Sequence, residues 1–70
     1  MANTVRTVLL HASSDSAAQA VVRALKSAEI TAAEFIASSG TYAVWVKVPE
    51  QREPEAMHIA VTIDPSICKQ

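Results

Sequence analysis

Tyr42-Ala43-Val44-Trp45-Val46-Lys47-Val48 is the stretch on which the fold turns. Successive side chains of a strand point to opposite faces, so Tyr42, Val44, Val46 and Val48 share one side and Ala43, Trp45 and Lys47 the other. Valine and aromatic residues favour the pleated, half-buried surface of a sheet. This is the strongest strand signal in the chain, and its all-apolar side calls for a core beneath it.

Reading backward, Ser39-Gly40 is a turn signal, and Gly40 is the only glycine. From Thr31 onward, Ala33, Phe35 and Ala37 alternate with Glu34, Ile36 and Ser38, a second strand. Before it, Ser16 to Ala28 contains no Gly or Pro and is rich in helix formers. Ala18, Val21, Leu25 and Ala28 recur at spacings of three and four, Val22 widens the stripe, and Gln19, Arg23 and Lys26 lie opposite. The spacing predicts an amphipathic helix whose small alanines allow close approach to a sheet. Ser13, Ser14 and Asp15 are N-cap residue types placed where that helix must start. Val5 to His11 is a short Val- and Leu-rich run without clean alternation. It is expected to be an interior strand covered on both faces.

Reading forward, Pro49-Glu50-Gln51-Arg52-Glu53-Pro54-Glu55 is expected to form a charged loop bounded by prolines. Met57, Ile59, Val61 and Ile63 then alternate with His58, Ala60 and Thr62, which predicts a last strand closed by Asp64-Pro65. Ser66 to Gln70 is a tail, with Ile67 able to fold back on the core.

The resulting expectation is a single α+β domain over residues 1–70. Its order is β-α-β-β-β, with one amphipathic helix on one face of a mostly antiparallel sheet of about four strands. Phe35, Val44, Val46, Ile59, Val61 and Ile63 would face the helix. Trp45, Lys47, His58, Ala60 and Thr62 would face away, alongside parts of the first strand. A β-α-β-β opening is shared by ferredoxin-like and regulatory ligand-binding domains, so it speaks for an architecture only.

Seventy residues with 50% apolar content make a thin core, because alanine contributes much of that content and buries little area. Domains of this size often need a disulfide, a metal or a partner chain. Cys68 is the only cysteine, so no internal disulfide forms. The net charge of −1 and the scattered Arg6, Arg23, Lys26, Lys47, Arg52 and Lys69 form no basic stripe. That argues against nucleic acid as the main ligand. No signal-peptide pattern and no apolar run of about 20 residues is visible, so a cytoplasmic product without membrane insertion is the default expectation.

His11, Ser13, Ser14 and Asp15 contain the residue types of a hydrolase triad. They are too close together to take the roles of nucleophile, base and orienter, and no G-x-S-x-G elbow surrounds either serine. No catalytic residue is assigned. A helix N-terminus can hold an anion, and His11, Ser13 and Ser14 are the candidates, although Asp15 opposes it. Two histidines and one cysteine lack metal-ligand spacing, so neither metal nor cofactor is expected.

One helix cannot cover both sides of a sheet, and tryptophan is enriched at interface hot spots. The expected function is therefore a non-enzymatic protein-binding module. It would be a homodimeric regulator or inhibitor docking on a larger protein through Trp45, His58 and Lys47, with Arg52 and Glu53 at the rim. Small phage or mobile-element inhibitors of host systems are one such class, by analogy. The alternative is a small-molecule or anion-binding regulatory domain.

Overall fold

Each helix starts and stops for a local reason, and together these reasons fix the architecture. A computed structural model describes residues 4–38 and 40–69. After β1 (Val5–His11), Ser14 takes an extended backbone and its Oγ accepts from the Ala17 N–H at 3.1 Å. The N-cap so formed starts α1 (Asp15–Ser27). At the other end, Glu29 adopts a left-handed φ of +63°, and the Ile30 N–H returns to the Leu25 carbonyl at 2.9 Å. The chain thereby reverses into β2 (Thr31–Ile36). Gly40, at φ +83°, donates to the Ala37 carbonyl and leads into β3 (Tyr42–Pro49). The expected Ser39-Gly40 turn thus falls at Gly40, while Ser39 lies outside the described residues.

The next segment departs from the expected order. Glu50–Arg52 is a single 3-10 turn, and Glu53–Ile63 is a second helix, α2, where the alternation of Met57, Ile59, Val61 and Ile63 predicts a strand. Two features outweigh that alternation. Pro54 stands in the first turn, where its missing N–H costs nothing, and Glu53 and Glu55 complement the helix dipole there. The helix buries Ala56 and Ala60, one turn apart, and partly buries Met57 and Ile59. Val61 and Ile63, expected in the core, are exposed. Asp64 closes α2 by donating its N–H to the Ala60 carbonyl at 2.8 Å. Ile67, buried, folds back as expected, ahead of a short β4 (Cys68–Lys69).

The described residues form a small α+β fold with an open four-stranded antiparallel sheet and two helices. The strand order is β2-β3-β1-β4. Strands β1 and β2 run parallel with β3 between them, and β3 and β4 run parallel with β1 between them. These are two interleaved split βαβ units, the ferredoxin-like arrangement. Both helices lie over Val8, Leu10, Ala32, Val44, Val46 and Val48, with Ala18, Val21 and Leu25 of α1 completing the core.

Candidate functional site

The side of the sheet away from the helices is built by the alternate residues of the same strands. Strand alternation puts Ala43, Trp45 and Lys47 opposite the sealed Val44, Val46 and Val48. Register then fixes three rows across the face. Trp45 lies between Ala33 of β2 and Leu9 of β1. Lys47 lies between Thr31 and Thr7, and Ala43 between Phe35 and His11. Cys68 extends this last row as the partner of His11.

Among the described residues, no helix covers these rows. Leu9 is 36% exposed, Phe35 38% and Val5 50%, while Trp45 is half-buried by its neighbours. Ala43 is only 1% exposed, sheltered within its row. The face is thus an apolar centre of Trp45, Leu9, Ala33 and Phe35, bordered by threonines, Lys47 and His11. Among the described residues, its strand positions carry no carboxylate.

Phe35 is on this face, as the cross-strand partner of Ala43, and not on the helix side expected for it. β1 has a strand on each side, as expected, but its Leu9 face lacks the expected cover. Of the residues expected at a partner contact, Trp45 and Lys47 are together here. His58 is exposed on α2, with Ala60 buried and Thr62 bonded back to the His58 carbonyl, so all three belong to the helix layer. Arg52 and Glu53 are also on that side. Arg52 donates to the Ala28 carbonyl at 3.0 Å and to Glu55 at 2.9 Å, tying the end of α1 to the start of α2. Glu53 accepts from Lys69 at 2.8 Å and from Arg6 at 3.1 Å. The hydrogen bond from Lys69 leads the forces that hold the Glu53 carboxyl below the usual glutamate range, and Arg6 adds to it against partial burial.

The anion candidates have separated. His11 lies on the open face beside Ala43 and Cys68, and Ser14 is the N-cap of α1. Ser13 holds an anion that the chain supplies itself. Its N–H donates to Asp64 Oδ2 at 2.9 Å and its hydroxyl to Asp64 Oδ1 at 3.0 Å. The Ser66 N–H adds a third bond at 3.1 Å. Burial of Asp64 acts to raise its pKa, but these three donors prevail and hold the carboxyl below the usual aspartate range. From the sequence, Asp64 is expected only to end a strand. Its one signal is an aspartate directly after an apolar run, at a helix end that the alternation concealed.

Among the described residues, no group of three or more His, Cys, Asp or Glu side chains is placed to hold a metal ion. No helix among them is long and apolar enough to cross a membrane. No protein-family model and no curated protein matches the chain.

Proposed function

We propose that this chain is a non-enzymatic protein-binding module, a small regulator or inhibitor whose uncovered sheet face docks on another protein chain. The observation that carries the reading is the apolar centre of Trp45, Leu9 and Phe35, left open while both helices pack on the other side. Layered domains bury such a face against another layer, and here the missing layer is supplied from outside. A Trp-centred patch with a polar border is the anatomy of an interface core and rim. A second copy is the simplest occupant, because a two-fold axis near Trp45 sets the apolar rows of both faces against each other. It also supplements a core built largely from Ala and Val.

Lys47 and His11 at the border set the complementarity required of a larger partner. Its surface should present an apolar ridge with carboxylates beside it, which steer encounter and suppress wrong partners.

Mixing isotope-labelled and unlabelled chains tests the reading. Intermolecular contacts from the Trp45 indole to Leu9 or Phe35 are expected. Trp45→Ala should abolish self-association and partner capture alike, with the far-UV spectrum unchanged. Self-association that survives Trp45→Ala at full strength would show that this face is not the docking surface.

A further inference from the structure

Strand β1 carries a second feature, on its edge rather than its face. β4 lies in the lane beside β1 only opposite Leu10 and His11, which pair with Lys69 and Cys68. Among the described residues, no strand occupies that lane from Val5 to Val8. A groove of about 310 Å³ runs there, lined by Arg6, Thr7, Val8, Leu9, Glu53 and Lys69. The volume is at the small end of ligand clefts, roughly 300–1,000 Å³.

The chemistry of the groove selects its occupant. A strand edge presents N–H and C=O groups at a fixed spacing, and another extended backbone complements that pattern. The rim selects side chains as well. Arg6 and Lys69 are each about half exposed and share the single Glu53 carboxylate, which is only 16% exposed. Two cations on one anion leave the rim positive. We propose that the outer edge of β1 receives an extended acidic peptide as an added antiparallel strand, with an apolar residue opposite Val8 and a carboxylate opposite Arg6.

Direction and register follow from β4, which is antiparallel in the same lane. Residues directly opposite across an antiparallel pair share a face. An apolar side chain opposite Val8 therefore falls on the helix side, by the apolar seam of Val8, Leu10, Ala56 and Met57. A carboxylate two positions further along falls opposite Arg6, also on the helix side. The edge is occupied independently of what covers the open face.

The probe is the peptide acetyl-Val-Thr-Glu-Val-amide, whose four residues match Val8 to Val5, added to the isotope-labelled full chain under conditions where its association state is known. Binding should slow hydrogen exchange of edge amides between Val5 and Leu9 by about tenfold or more. Replacing the peptide's threonine, opposite Thr7, by proline should abolish that protection, because proline removes a ladder donor. Replacing its glutamate by lysine should weaken binding about threefold to fivefold, the range of an exposed ion pair. That preference should reverse with Arg6→Glu. Absence of binding, equal binding of the proline peptide, or protection confined to the Phe35 and Trp45 strands would each overturn the proposal. Because dimerisation is read separately by sedimentation, loss of edge binding and loss of the open-face contact are distinguishable.

Discussion

The two faces of the sheet are made by neighbouring residues of the same strands, yet only one is sealed. Leu10 is 1% exposed beneath the helices, while Leu9, next to it in β1, is 36% exposed on the other side. Val44 and Val46 are sealed, and Trp45 between them is not. Apolar content therefore does not decide what is covered; connectivity does. In the β-α-β-β-α-β order, each crossover spans one intervening antiparallel strand, and handedness carries both helices to the same side. The opposite face keeps its apolar residues and receives no layer from the described chain.

The adjacent leucines offer the sharpest contrast. Leu10→Ala should cost about 2–5 kcal/mol, the range for truncating a fully buried leucine. Leu9→Ala should cost about 1 kcal/mol or less in the monomer, because much of its surface is already in water. Urea unfolding at a concentration that holds the chain monomeric measures both. Equal costs would mean that the two faces do not differ in the way described.

The covered side is also secured by a polar anchor, and removing it should produce the next largest effect. Asp64→Ala leaves the Ser13 and Ser66 N–H groups without their acceptor and should cost about 1–3 kcal/mol at neutral pH. The pH dependence has a definite sign. The folded Asp64 pKa is below its unfolded value of about 3.9, so its contribution is complete above that value. It is lost as pH falls through the lower folded value. The difference between Asp64→Ala and the parent chain should therefore shrink below about pH 4. A difference that persists unchanged into strong acid would show that the carboxylate charge is not what the donors hold.

The smallest effect should be a gain. Glu29 occupies the left-handed region at φ +63° to close α1, a conformation that suits glycine. Glu29→Gly should stabilise by up to about 1 kcal/mol, the relieved backbone strain less the added entropy of glycine in the unfolded chain. Thermal unfolding measures it, and a loss of stability would mean that the Glu29 side chain contributes more than its backbone costs.

The two helices differ in how far the sequence discloses them. In α1, Ala18, Val21 and Leu25 recur at helical spacing, with Ser14 placed to cap them, and all three are buried. Period and boundary signals agree there. In α2 they conflict: Met57, Ile59, Val61 and Ile63 alternate as in a strand, whereas Glu53-Pro54-Glu55 opens a helix. The residues α2 buries most deeply are Ala56 and Ala60, whose small side chains give a weak pattern. Misreading that one element moves His58 onto the wrong side of the sheet. Trp45 and Lys47 were legible as a pair because they lie on one strand and depend on no other assignment. Phe35 was not, because its face is set by register across the Gly40 turn, pairing it with Ala43. Asp64 and its bonds to Ser13 join residues far apart in the chain, which no local pattern contains.

Sedimentation equilibrium of the parent chain and of Leu9→Lys reads whether the open face docks on a second copy, with urea unfolding as the check that the variant remains folded. A reversible dimer is expected for the parent chain, and a folded monomer once a charge is placed beside Trp45. A parent chain that stays monomeric at high concentration, or a dimer indifferent to Leu9→Lys, would contradict that docking.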